Sequence, residues 1–261
     1  MYKKIAGTVF FITAAMLVLL QASSLNASDL AKEKRWAEQT VDFIMDGHAN
    51  WLNVSKDLSI LSIYTEAAEA SNKALLVLHG TGIHPNWEQV IQPIRVEMTS
   101  YGWNTLAIQM PILGNEADHS EYGPLYPEVH PRVTAALSYL RDQGNDEIVV
   151  IAHSQGAAMA VFNLSVMGDQ GVKGLIAIGI GGGETHPDQN ALNHIGKVTI
   201  PTLDLFGSED LESVLLNSDE RALTAGNDNY SQIEVEGANH FFDDMNEELI
   251  FEINKWLNNL K

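Results

Sequence analysis

The chain has 261 residues, of which 45% are hydrophobic, and carries 15 Lys and Arg against 34 Asp and Glu, a net charge of −19. Length permits one large α/β domain or two small ones, and the apolar fraction suits a globular fold with a sizeable core. The absence of cysteine excludes a disulfide framework, a cysteine nucleophile, a thiolate metal site and a lipoprotein anchor, and the acidic excess argues against nucleic acid or an anionic membrane as partner.

Lys3 and Lys4 precede an apolar run from Ile5 to Leu20, and Gln21-Ala-Ser-Ser-Leu-Asn-Ala27 supplies small residues for cleavage. This is the layout of a secretory signal peptide over residues 1–27, with cleavage expected after Ala27 and, as second choice, after Ser24. The run is a little short for a membrane span, which counts against an uncleaved anchor. Removing residues 1–27 takes away two lysines and no acids and leaves a mature charge of −21. The expected location is periplasmic or secreted, with no stable membrane insertion after cleavage.

Residues 29–52 intersperse Leu30, Trp36, Val41, Phe43, Ile44, Trp51 and Leu52 with charges, which predicts one or two N-terminal helices lying on the main domain. Ser59–Tyr64 alternates enough for a first strand near an edge. Ala74–Leu78 is a buried strand, and His79-Gly-Thr-Gly82 follows at its carboxyl end, where ligands sit in open α/β sheets. Gly80 and Gly82 free that loop to turn the Thr81 N–H toward a reacting oxygen. Phosphate binding is disfavoured, because the loop has neither a Gly-Lys-Ser/Thr ending nor a G-x-G-x-x-G. Pro85 and Asn86 introduce a helix expected from Trp87 to Tyr101, which Gly102 ends; Trp103–Met110 is then a strand stopped by Pro111. Residues 112–125 read as a long polar loop at the rim of the site, in which Glu116, Asp118 and His119 match no metal-ligand spacing. A helix from Tyr126 to Gly144 turns Val133, Ala136, Leu137 and Leu140 inward.

Glu147 to Val161 is the most informative stretch. Ile148–Ala152 is a buried parallel strand, and Ala157–Leu164 continues as a helix ending near Gly168. The junction, Ala152-His-Ser-Gln-Gly156, is a small-x-Ser-x-Gly turn close to the G-x-S-x-G nucleophile elbow. Small residues two before and two after Ser154 let the turn close, and Ala152 adds one methyl where glycine is usual. The following helix aims its free N–H groups and positive dipole end at the same point, so Gln155 N–H and Thr81 N–H are the expected oxyanion donors. His79, Gly80 and His153 are candidate substrate contacts; His153 also suits packing beneath the loop.

Leu175–Ile178 is the next strand, and residues 179–196 form a candidate cap in which His186 and His194 read as surface residues. Thr202–Phe206 is a strand turned by Gly207, with Glu209 and Asp210 at its carboxyl end and a helix over 212–225. Tyr230–Val235 is the final strand, His240 follows it, and an amphipathic helix runs from Met245 to Leu260. Strands alternate with helices throughout, which predicts an α/β fold, a mostly parallel central sheet with helices on both faces. No repeat or linker interrupts residues 28–261, so one domain is expected.

Ser154, Asp210 and His240 each follow a strand, so all three reach the same sheet edge. A serine hydroxyl needs a base to take its proton, His240 has a suitable pKa, and Asp210 would orient the imidazole, with Glu209 the weaker alternative and Asp204 too deep in its strand. From the His79-Gly-Thr-Gly loop through Leu205-Phe-Gly-Ser-Glu-Asp210 to Gly237-Ala-Asn-His240, the sequence resembles the α/β-hydrolase superfamily, whose nucleophile–acid–base order it shares. In Leu78-His-Gly-Thr-Gly82, His84-Pro-Asn-Trp87 and Gly102-Trp-Asn-Thr105 it is similar to a family of exported proteobacterial α/β-hydrolase-like proteins. The resemblance implies the α/β-hydrolase fold and a periplasmic location, and supplies no substrate.

The expected function is an exported serine hydrolase acting on a small-molecule or acyl ester through an acyl-enzyme, with thioester or amide as further bond types. No cofactor and no metal are expected. The rival readings are a non-catalytic cell-envelope binding or assembly protein that retains the fold, and a metal-dependent hydrolase using the histidines and acids of 116–130 or 184–194.

Overall fold

The computed structural model describes residues 27–260. The expected leader, residues 1–27, lies outside the described residues apart from Ala27. One sheet of eight strands forms the centre: β1 (His48–Asn53), β2 (Ser59–Thr65), β3 (Lys73–Leu78), β4 (Asn104–Ile108), β5 (Glu147–His153), β6 (Gly174–Ile178), β7 (Thr202–Glu209) and β8 (Tyr230–Asn239). Their spatial order is β1-β2-β4-β3-β5-β6-β7-β8. Only β2 runs against its neighbours; every other paired strand from β4 to β8 is parallel.

Side chains alternate across the two faces with the strand period of two. Leu76, Leu78, Val150, Ala152, Leu175 and Ala177 point to one face, covered by α3 (Val129–Asp142) and α4 (Gln155–Met167). Leu75, Val77, Val149, Ile151, Ile176 and Leu203 point to the other, covered by α2 (Ile91–Glu97) and α7 (Asn246–Leu257). Strands buried on both faces read as continuous apolar runs, as β5 and β6 do.

Several boundaries differ from expectation for identifiable reasons. Residues 29–52 are one helix, α1 (Leu30–Val41), followed by β1 instead of a second helix. Of the β1 residues only Leu52 is buried, because the strand lies at the sheet's edge, so its sequence carries no clear period. Ser59–Tyr64 is therefore the second strand. The helix expected from Trp87 begins at Ile91, because a helix started earlier would carry Pro93 in its interior, without the N–H that position needs. Near its start, Pro93 costs nothing. The polar loop 112–125 gives way to a 3-10 segment, His119–Glu128, which also takes the first residues of the helix expected from Tyr126 and is opened by a capping box in which Asp118 and Glu121 satisfy each other's backbone N–H groups. The helix expected over 212–225 breaks into α5 (Glu212–Leu215) and α6 (Ser218–Ala225), where the Asn217 side chain donates to the carbonyls of Gly182 and Ser213. Gly207 does not end β7; the strand continues to Glu209 through a bulge against β8.

Asp204, inside β7, is fully buried and holds Arg221 through a 2.7 Å contact, together with the Tyr230 hydroxyl and Gln232. Asp204→Ala strands the buried guanidinium without its partner, and the expected loss of stability is about 3–5 kcal/mol. Urea unfolding of the two proteins measures it; a loss below about 1 kcal/mol, the range of exposed pairs, would contradict this account.

Candidate active site

Ser154 sits between β5 and α4 with φ 57° and ψ −126°. A side chain at positive φ is strained, at a cost of about 1–3 kcal/mol, and persists only when its surroundings enforce it. Here the enforcement is close packing of backbone on backbone. A Cβ on Gly156 would lie 2.4 Å from the His79 carbonyl oxygen and 2.7 Å from that of Leu78, so only glycine lets the first turn of α4 rest on the end of β3. Ser154 N–H donates to the Ile178 carbonyl at 2.8 Å, tying the turn to β6. The Ala152 methyl is buried within the sheet.

Three side chains expected at one sheet edge do meet there. His240 Nε2 lies 2.9 Å from Ser154 Oγ, and His240 Nδ1 lies 2.5 Å from Asp210 Oδ1. A proton on Nδ1 serves the carboxylate and leaves Nε2 free to accept from the serine hydroxyl. Asp210 Oδ1 also accepts the Leu211 N–H at 2.7 Å, which fixes the carboxylate at the end of β7. Glu209 is exposed and makes no contact with His240, so the carboxylate that meets the imidazole is that of Asp210.

The loops that carry these residues need two glycines whose roles the sequence does not advertise. A Cβ on Gly207 would lie 1.9 Å from the Ala238 carbonyl, so β7 and β8 approach only without it. Gly179, at φ 58°, lies so close that a Cβ would be 3.0 Å from His240 Nδ1 and 3.3 Å from Asp210 Oδ2. Gly179, where the expected cap segment 179–196 begins, is the floor beneath the imidazole.

The two flanking histidines have different places. His79 was expected to touch substrate, and this is corrected: it is 1% exposed and absent from the cavity wall. Its Nε2 accepts the Met110 N–H at 2.9 Å and its Nδ1 donates to the Gly80 carbonyl at 2.9 Å, so it anchors the 79–82 loop to β4's end. His153 lines the cavity, yet its Nε2 donates to the His240 carbonyl at 2.9 Å, which holds the base's own backbone in place. Its Nδ1 is buried with no partner.

The cavity is about 430 Å³ and contains Ser154 and His240. Gly80, Thr81 and Gln155 line it beside the serine. The Thr81 hydroxyl donates to Gln155 Oε1 at 3.2 Å, which joins the loop to α4. Leu211, Val214 and Phe241 make its apolar wall. His119, Tyr126 and Glu184 also face it; in the sequence His119 and Glu184 read only as candidate metal ligands and Tyr126 not at all, because the 3-10 segment and the cap that carry them have no period. The cap docks on that segment: the Gln189 amide donates to the His119 carbonyl at 2.8 Å, and the His186 ring occupies the space a Cβ on Gly123 would take. His194, expected at the surface, is buried between Ser165 and Phe162. Among the described residues no group of three or more His, Asp or Glu side chains is placed to hold a metal ion. A larger open groove, about 620 Å³, holds six glutamates beside α7 and β8 but neither nucleophile nor base.

Residues 46–122 and 116–259 match the family model described as protein of unknown function, DUF3530. No curated protein matches the chain. Among solved structures it is similar to Est1E from Butyrivibrio proteoclasticus, at 15% identity and TM-score 0.66, over 81% of this chain and 98% of that one. It is similar to a dienelactone hydrolase from Anabaena variabilis, at 16% identity and TM-score 0.66, over 82% and 97%. An esterase from Pyrococcus furiosus gives 16% and 0.66, over 86% and 94%. At such identities the likeness establishes the α/β-hydrolase fold.

Burial holds both His79 and His153 down at about 3. The unfolded chain protonates these rings below about pH 6.5, whereas the folded chain resists until about pH 3. Between those values the unfolded state binds more protons, so stability rises with pH, by up to about 1.4 kcal/mol per unit for each ring. Urea unfolding from pH 4 to 7 should show a shallower rise in His79→Gln and in His153→Gln than in the wild type. Unchanged slopes in both variants would show that the rings titrate alike in the folded and the unfolded protein.

Proposed function

The chain belongs to the DUF3530 family, described as a protein of unknown function, and from that premise we propose that it is an exported serine hydrolase that cleaves carboxylic esters. The observation that carries the reading is the Ser154–His240–Asp210 relay, at 2.9 and 2.5 Å, opening into a cavity beside a helix N-terminus. The esterases among the structural neighbours agree with it.

In this mechanism Ser154 Oγ attacks the ester carbonyl while His240 Nε2 takes its proton. The carbonyl oxygen becomes an oxyanion held by the Gln155 and Thr81 N–H groups, for which the described residues offer no other acceptor. The C–O bond to the alcohol breaks, and His240 returns the proton to the departing alcohol. Water then attacks acyl-Ser154, giving its proton to His240, and the acid leaves as the serine is restored. Asp210 holds the imidazole tautomer and stabilises the imidazolium. Thioesters and amides fit the same steps, with a thiol or amine leaving.

Export rests on the charged, apolar and small-residue regions of residues 1–27. Ser28 N–H donates to Glu128 Oε1 at 3.0 Å, and its hydroxyl to Oε2 at 2.7 Å. Cleavage after Ala27 would turn that N–H into an ammonium facing the Glu128 carboxylate. Mass analysis of the protein recovered from the periplasm or medium should give Ser28 as first residue; an intact leader on it would contradict export by cleavage.

A fluorophosphonate probe should label the wild type at Ser154 and leave Ser154→Ala unlabelled. Asp210→Asn, which permits the wrong tautomer, should reduce turnover of a p-nitrophenyl ester about 10⁴-fold. A folded wild type that takes no label and turns over no ester would move the assignment to a binding protein on the same fold.

A further inference from the structure

One carboxyl group in the cavity is used neither by the relay nor by the loops that build it. Glu184 lines the cavity from the 179–196 segment. The Gly181 backbone makes room for it, since a Cβ there would lie 2.8 Å from Glu184 Oε1. Its Oε2 is buried with no hydrogen-bond partner. Arg221, the cation whose charge acts on it, is fully buried and committed to Asp204. Burial pushes the Glu184 carboxyl up, the sign of a charge held where water serves it poorly.

Apart from the Ser213 hydroxyl and His153 Nδ1, which are neutral, the other polar side chains of the wall outside the relay are engaged. His119 and Gln155 bond Thr81, Gln155 reaches the Tyr126 hydroxyl, and His153 donates to the His240 carbonyl. No Lys or Arg lines the cavity. Glu184 is therefore a carboxylate without a counter-ion, on the wall that a substrate of Ser154 must face. An unpaired charge in a poorly hydrated place is costly, and a bound cation that donates hydrogen bonds removes the cost. The apolar wall of Leu211, Val214 and Phe241 suits a methylene chain between such a cation and the ester.

We propose that Glu184 is a cation subsite and that the ester cleaved at Ser154 carries an ammonium group in its acyl chain or its alcohol. Cleavage rests on the hydrolase reading above; binding of the ammonium does not.

Two substrate pairs test it on the leader-free chain. One is p-nitrophenyl ε-aminocaproate against p-nitrophenyl heptanoate; the other is aminohexyl acetate against heptyl acetate. In at least one pair kcat/KM should favour the ammonium ester by tenfold or more, the equivalent of about 1.4 kcal/mol. Glu184→Gln should bring that ratio close to one, and Glu184→Asp, which keeps the charge, should restore part of it. Calorimetry of Ser154→Ala with hexylammonium and with hexanol reads binding without turnover. Hexylammonium should bind, hexanol should not compete with it, and Ser154→Ala/Glu184→Gln should lose the binding. Turnover of neutral esters with no preference for the ammonium, or a preference that survives Glu184→Gln, overturns the subsite and leaves the hydrolase reading intact. Glu184-dependent binding of hexylammonium with no ester turned over does the reverse. Neither binding nor turnover overturns both.

Discussion

The contact on which this molecule's chemistry depends is the seating of the first turn of α4 on the end of β3. The His79 and Leu78 carbonyls occupy the volume that any side chain at position 156 would need. Without a side chain there, the helix starts directly above the strand. The turn before it is then too tight for an ordinary backbone, and Ser154 is driven to positive φ. That strain is stored in the same place where the helix presents its unpaired N–H groups. The Ser154 turn, its strain and the unpaired helix N–H groups thus have one cause, the close approach of two backbones.

His240 and Asp210 are held by a separate set of close approaches. β7 and β8 are drawn together at Gly207, shift register through a bulge and pair again at Glu209 and Asn239, which delivers Asp210 and His240 from neighbouring strand ends. Gly179 supports the imidazole from below, and His153 pins the His240 backbone by its carbonyl. His79 plays the corresponding part for the 79–82 loop. Both histidines are kept neutral by burial, so they act as fixed hydrogen-bonding struts and not as proton carriers.

What a substrate meets is set by a third layer. The 3-10 segment and the cap are bound to each other through Gln189 and His186, and together they bring His119, Tyr126 and Glu184 over the serine. Their walls mix apolar side chains with one carboxylate that has no counter-ion. In the proposed hydrolase the Ser154–His240–Asp210 contacts would carry bond cleavage, and this layer would select the molecule presented to them.

Much of this was legible in the residues. β3, β5 and β6 are continuous apolar runs because both faces are covered, and their turns are marked by His79-Gly-Thr-Gly82 and Ala152-His-Ser-Gln-Gly156, so the parallel sheet and the Ser154, Asp210 and His240 positions could be placed from local pattern. β1 was not legible, since an edge strand with one buried side chain has no alternation to read. Nor was the break at Asn217, whose cause is the Gly182 carbonyl 35 residues away in the chain. The same limit explains the site: residue types and spacing named the relay, but that His79 lies beneath the loop, that His153 braces His240, and that Glu184 faces the cavity unpaired depend on what packs opposite. Spacing along a chain determines which elements form and where their ends fall. Burial and pairing belong to two elements at once, and only the folded packing decides them.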